Sequence, residues 1–325
     1  MSIAAYARAS DTGRKRRRNE DSYVVAPPLF AVADGMGGAQ AGEVASRLAA
    51  AALQETDSSS LSGPEQVVSL IREANRRVYE RAANDPATSG MGTTMTVALV
   101  EGQTVTIGHV GDSRAYLVRD GRLEQLTEDH SLVNELLKSG KLSREEADVH
   151  PQRSVITRAV GTDPDVDVDA FTVSAAEGDI FLLCSDGLTD MVSDEDILEV
   201  LERHRNDLDR AAKALVSAAN RGGGEDNITV IAFAIAADGD DTVRMPAQAA
   251  EEDTLEGIPS PAPAVDTMVV PAEQVDDVFL EPGSPEAEAA VRPAPISSAA
   301  RVRLVLAMLA LLAVAAVLLV WGLVR

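Results

Sequence analysis

The chain has 325 residues, 45% of them hydrophobic and 25% charged, which is enough to bury the core of one large domain and too apolar for disorder throughout. A formal net charge of -23 would repel a phosphate backbone, which excludes nucleic acid as a partner, and an acidic protein that handles phosphate esters needs bound cations to invert the local sign. The single cysteine, Cys184, rules out an internal disulfide; inside Phe181-Leu182-Leu183-Cys184 it reads as a core thiol with no base beside it.

The first ten residues hold no apolar stretch of signal-peptide length, and the basic run at 14–18 leads directly into Asn19-Glu20-Asp21. Residues 29–33 form an apolar strand that ends at Asp34-Gly35-Met36-Gly37-Gly38. Helical spacing follows over 42–54 and 65–84, where Val67, Leu70, Ile71, Ala74 and Val78 share a face and Pro64 suits the first turn. Strands at 95–101 and 104–109 make a hairpin through Glu101-Gly102-Gln103, and the strand at 114–119 ends in the tight turn Arg119-Asp120-Gly121-Arg122. Residues 128–161 are more polar and read as a helical flap overhanging a site. Asp165, Asp167 and Asp169 alternate before a strand and read as a charged edge. Strand 179–185 ends at Asp186-Gly187, helix 207–220 stops at Gly222-Gly223-Gly224, and Asp226 opens strand 227–235. The class is α+β, with two antiparallel sheets and helices outside them in a four-layer α-β-β-α sandwich over residues 1–237.

Residues 238–300 carry nine of the fifteen prolines and fourteen acids against Arg244 and Arg292, a net of -12, so they read as a solvated, disordered linker. Asp241-Thr242-Val243, Asp253-Thr254-Leu255 and Asp266-Thr267-Met268 repeat a small pattern there, which an acidic, alanine-rich tract produces by chance. Residues 304–324 are uncharged and apolar, long enough to cross about 30 Å of hydrocarbon as a transmembrane helix. Arg301 and Arg303 before it, against Arg325 after it, predict a single-pass protein of the cell membrane with its catalytic domain cytoplasmic.

Asp34, Asp186 and Asp226 each stand at a strand edge beside glycine or a glycine turn, more than helix or turn capping explains. Phosphate monoester hydrolysis without a covalent nucleophile asks for activated water and positive charge near the phosphoryl oxygens. Two hard divalent ions about 4 Å apart, bridged by one carboxylate, supply both. Asp34 is the best-placed bridge, and Gly35 can turn a bare carbonyl toward a cation.

Eight motifs in order, Arg16 to Asp21, Asp34 to Gly38, Gly90-Met91-Gly92-Thr93-Thr94, Gly111-Asp112-Ser113-Arg114, Asp129-His130-Ser131, Ile156 to Gly161, Ser185-Asp186-Gly187 and Asp226-Asn227, resemble the metal-dependent protein serine/threonine phosphatases of the protein phosphatase 2C type, in bacterial form. The resemblance covers about residues 3–236. It implies a helix-flanked β-sandwich holding two Mn2+ or Mg2+ ions, with a third in bacterial members. Asp34 would bridge the pair, the Gly35 carbonyl would complete the second ion, Asp186 and Asp226 would hold the first, and Asp112 would join Asp186 at the third. Arg16 would grip the substrate phosphate, Glu20 and Asp21 would order waters or act as weak ligands, and Arg17 and Arg18 would be solvated neighbours. The implied reaction is in-line attack by the bridging water on phosphoserine or phosphothreonine, opposing Ser/Thr kinases. Met36 departs from the histidine that eukaryotic members carry as proton donor, and His130 is expected to brace the flap.

Overall fold

The computed structural model describes residues 2–37, 41–56, 58, 60–148, 150–236 and 268–269. One sheet runs in the order β1 (Ser2–Asp11), β13 (Ile228–Ala236), β12 (Ile180–Cys184), β8 (Arg114–Arg119), β9 (Arg122–Gln125). The other runs β11 (Asp169–Ser174), β7 (Thr104–Val110), β6 (Met95–Glu101), β3 (Leu29–Ala33), β2 (Ser22–Ala26). Every pairing in both is antiparallel. The predicted hairpin is β6–β7, with Gly102 at φ 59°. The β8–β9 turn takes positive φ at both Asp120 (51°) and Gly121 (70°), the geometry that lets a two-residue loop follow strand twist.

Three apolar layers separate four structural ones. Phe30, Ile107, Leu117, Phe181, Ile231 and Phe233 fill the space between the sheets, where Phe233 stacks on Phe30 (centroids 4.4 Å apart) and on Phe181 (5.1 Å). Outside the second sheet lie α1 (Ala41–Glu55) and α2 (Gly63–Asn84), which bury Ala45, Ala49, Leu70, Ile71 and Val78 against Val97 and Leu99. Outside the first sheet, α6 (Asp194–Arg203) and α7 (Leu208–Gly222) bury Ile197, Leu201, Leu215 and Ala219 against Leu182 and Val230. The predicted α-β-β-α sandwich is therefore the observed one. The flap contributes only short elements, α3 (Leu132–Lys138), α4 (Arg144–Asp148) and β10 (Val155–Ile156). Its Val160 bridges to Thr93 of β5 (Gly92–Thr93), which pairs with β4 (Gly35–Met36).

The expected membrane helix is corrected. Among the described residues no helix is long and apolar enough to cross a membrane. The longest, the 22-residue α2, carries Arg72, Glu73, Arg76, Arg77, Glu80 and Arg81, charges that a spanning segment cannot bury. Residues 304–324 lie outside the described residues, as does the expected linker at 238–300 apart from β14 (Met268–Val269), a two-residue strand that pairs in parallel with β10. The fold class of the described residues is the α+β sandwich, with no membrane-spanning helix among them.

Candidate metal centre

Four chain segments deliver carboxylates to one end of the sandwich. β3 leads directly into Asp34, whose backbone is locked in place: its N–H donates to Thr94 Oγ1 (2.9 Å), and its carbonyl accepts from Thr94 N (2.8 Å) and Thr93 Oγ1 (2.7 Å). β12 ends at Cys184, Ser185 follows it, and Asp186 opens the single-turn α5 (Asp186–Thr189). Asp226 follows a turn in which Gly223 and Gly224 take φ 146° and 56°, conformations that side chains rarely adopt. Asp112 sits in the β7–β8 turn after Gly111, where φ is 109° and a side chain would strike Thr94.

These acids, with Asp21, crowd one another. Asp34 lies close enough to both Asp21 and Asp186 for their charges to act on it. Burial, then the charges of Asp21, Asp186, Asp226 and Asp112, push Asp34 well above the usual carboxylate range. Asp186 is driven up in the same way, by burial and then by Asp112 and Asp226. Burial, with Asp129 and Asp190 next, takes Asp112 to about 7. Burial takes Asp21 to about 6, although the Ser185 hydroxyl donates to its Oδ2 (2.9 Å). Protons hold this group together where cations are absent.

The donor set fits divalent metal. One oxygen each of Asp21 and Asp186 is buried and has no hydrogen-bond partner, which is costly unless a cation takes the lone pairs. Beside them the Gly35 carbonyl and the Glu20 carboxylate both face the bare Cα of Gly42, and a Cβ there would come within 2.7 Å of the Gly35 oxygen. The space where hard oxygens converge therefore depends on Gly42 having no side chain. Among the described residues no three Asp, Glu, His or Cys side chains close into a ready-made cage, so a shell here has to draw on carbonyl and water oxygens as well.

The predicted residues come together: Asp34, Asp186, Asp112, Asp226 and Asp21 form the group, and Gly35 and Glu20 flank it. Arg16 reaches Asp226 Oδ2 with one guanidinium nitrogen (2.7 Å). Burial lowers the Arg16 pKa, but Asp226, with Asp34 and Asp186 beyond it, outweighs that and raises it. Met36 is buried with Ile156 and Ala159 of the flap, so the residue that replaces a proton donor serves as a packing seat. His130 braces the flap, as expected: its Nδ1 accepts the Gly111 N–H (3.0 Å) and its Nε2 faces Asp169 Oδ2 (3.2 Å), while Arg158 donates to the other carboxylate oxygen, Asp169 Oδ1 (2.7 Å).

Sequence reasoning missed Gly42 and underused Asn227. The Asn227 side-chain amide donates to the carbonyls of Thr12 (2.9 Å) and Arg18 (2.8 Å), and its oxygen accepts the Glu20 N–H (2.7 Å). It staples the loop carrying Arg16, Glu20 and Asp21 to the start of β13. The Asp226-Asn227 pair was visible in sequence, but its far-off backbone partners were not.

A helix-flanked double sheet with strand-edge aspartates at one end defines a phosphate-ester hydrolase of the metal-dependent kind. Residues 14–220 match the family model described as protein phosphatase 2C. The chain is 44% identical over 231 residues to the serine/threonine protein phosphatase PstP of Mycobacterium tuberculosis, a match covering 70% of this chain and 44% of that protein. It is 42% identical over 233 residues to the serine/threonine phosphatase stp of Listeria monocytogenes, covering 68% of this chain and 92% of that one. The crystal structure of the M. tuberculosis phosphatase PstP/Ppp superposes with a TM-score of 0.69 at 42% identity, over 73% of this chain and 100% of that chain. A PstP catalytic domain in complex with two manganese ions gives 0.66 at 40%, over 72% and 99%. The chain thus spans less than half the length of the mycobacterial PstP it matches and nearly all of the Listeria protein. It belongs to the protein phosphatase 2C family, in its bacterial form.

Proposed function

We propose that this chain is a serine/threonine protein phosphatase acting on phosphorylated proteins, that it depends on a manganese or magnesium pair, hydrolyses phosphoserine and phosphothreonine esters directly with water, and opposes Ser/Thr protein kinases. The observation that carries the reading is the crowd of carboxyls centred on Asp34, two with orphaned oxygens, facing Arg16. Asp34 would bridge the pair, the Gly35 carbonyl would complete one ion, Asp186 and Asp226 would hold the other, and Asp112 with Asp186 would take a third. When bound, the ions lower the pKa of the attacking water and offset charge on the phosphoryl oxygens. Arg16 contributes a planar fork to the substrate phosphate, positioned by the Asn227 staple. Glu20 and Asp21 orient water at the rim of the group. Met36 offers no proton, so the proton for the leaving alkoxide has to come from water held at the site or from another group. The membrane location expected from residues 304–324 forms no part of this proposal.

Asp186→Asn is expected to lower manganese-dependent phosphate release from a phosphothreonine peptide by about 100-fold or more while circular dichroism stays that of the wild type. Equal rates in metal-replete buffer would falsify the assignment. Opposition to kinases predicts that a strain lacking the protein gains Ser/Thr phosphorylation, read by phosphoproteomics; an unchanged phosphoproteome would speak against it.

A further inference from the structure

We propose that the basic run at residues 14–18, with Arg153 of the flap, forms a rim that selects phosphopeptides carrying Asp or Glu close to the phosphorylated residue. This rests on the phosphatase reading and specifies the substrate class of the same site.

The run is the longest stretch of consecutive cations in a chain of net charge -23, and the fold lays it against the metal centre. Arg14 N and Lys15 N both donate to the Gly224 carbonyl (2.7 and 3.2 Å), two residues before Asp226. Arg16 reaches Asp226 itself. Lys15 pairs with Glu225, and the same carboxylate lies 3.9 Å from Arg153, so cations from the run and from the flap meet over the Asp226 turn. Arg153 also stands 3.9 Å from Asp190, and Arg18 lies 3.7 Å from Glu43.

Four acids, Glu43, Asp190, Glu225 and Asp226, stand against these cations in the pairs just described. Lys15, Arg18 and Arg153 are 51%, 53% and 46% exposed, so their ion pairs are of the surface kind, worth about 0–1 kcal/mol. A peptide carboxylate can replace the present partner at little cost. Without this rim the field of so acidic a protein would repel an acidic peptide before its phosphate reached Arg16. Consecutive Cα atoms are about 3.8 Å apart, which puts the other cations of the run within about 15 Å of Arg16 once side-chain length is added. An extended peptide covers that distance with the three or four residues on either side of the phosphorylated one.

The test uses the full chain with manganese and three phosphothreonine peptides that differ only in flanking residues: Asp/Glu, Ala/Ser or Lys/Arg. At low salt, kcat/KM should favour the acidic peptide over the neutral one by about 10-fold, mostly through KM, and the basic peptide should be worst. The variant R14S/K15S/R17S should bring the acidic peptide to within two-fold of the neutral one and leave hydrolysis of p-nitrophenyl phosphate, which is too small to span the rim, unchanged. Raising salt to about 0.5 M should erase the preference in the wild type, because the screening length falls to a few ångströms. Equal rates on the three peptides, or a preference that survives in the triple variant, overturns the rim. Absence of release from all three peptides and from p-nitrophenyl phosphate removes the phosphatase reading and the rim with it.

Discussion

At the scale of single residues, the site is built as much by what is missing as by what is present. Gly42 has no Cβ, and that absence leaves room for the Gly35 carbonyl and the Glu20 carboxylate to face the same point. Gly42→Ala is expected to destabilise the domain by about 1–3 kcal/mol through overpacking and to weaken manganese activation at least 10-fold. Thermal melts and a manganese titration check both; wild-type activation by manganese in the variant would remove Gly42 from the site. Asp34, Asp186 and Asp226 were legible in sequence because an aspartate between an apolar strand and a glycine has few structural uses. Gly42 was not, because it stands inside a helical pattern where a glycine reads as a weak helix former. Its reason for being there lies 22 residues upstream, at Glu20, and only the fold brings the two together.

At the scale of elements, three strands carry the carboxylates of the proposed metal centre, and one aromatic stack ties them. Phe30 is on β3, which delivers Asp34; Phe181 is on β12, which delivers Asp186; Phe233 is on β13, which starts beside Asp226. Phe233 lies between the other two and is fully buried. Phe233→Ala should cost about 3–5 kcal/mol in urea unfolding, and Phe233→Leu less. Because the stack joins the two sheets, the folded fraction of Phe233→Leu should also bind manganese more weakly than wild type. Unchanged affinity would mean that the strand ends are positioned by their loops alone. The apolar strands and the amphipathic helices could be read from periodicity, within a residue or two of their ends. β1 could not: Ser2–Asp11 is alanine-rich with little β preference, and it is a strand because β13 offers it a full antiparallel ladder. α6 was missed as well, though Ser193 caps it and three acids crowd its first turn, since its burial depends on α7 and the first sheet rather than on a long local pattern.

At the scale of the whole molecule, the crowded aspartates of the proposed metal centre couple stability to pH. Asp112 and Asp21 titrate near 7 and near 6 in the metal-free fold, well above the ordinary aspartate value, and Asp34 and Asp186 are raised with them. Below about pH 4 these groups are protonated whether the chain is folded or not, and the penalty of crowding is absent. As pH rises toward 7 the unfolded chain releases their protons first, so each raised carboxyl removes about 1.4 kcal/mol of stability per pH unit across its own window. Buried His109 acts in the opposite direction: burial, and then the neighbouring His130, lower it to about 3, so its contribution is lost as pH falls from 6.5. That histidine term is common to the metal-free and metal-loaded protein, whereas the carboxyl term vanishes once cations replace the protons. The difference in melting temperature between protein with manganese and protein with chelator should therefore be small near pH 4.5 and grow steadily to about pH 7. Isothermal titrations at pH 6 in two buffers of different ionisation enthalpy should show protons released on binding. A stabilisation by manganese that is flat across pH 4.5–7, with no proton release, would mean that the crowded aspartates are not the ligands.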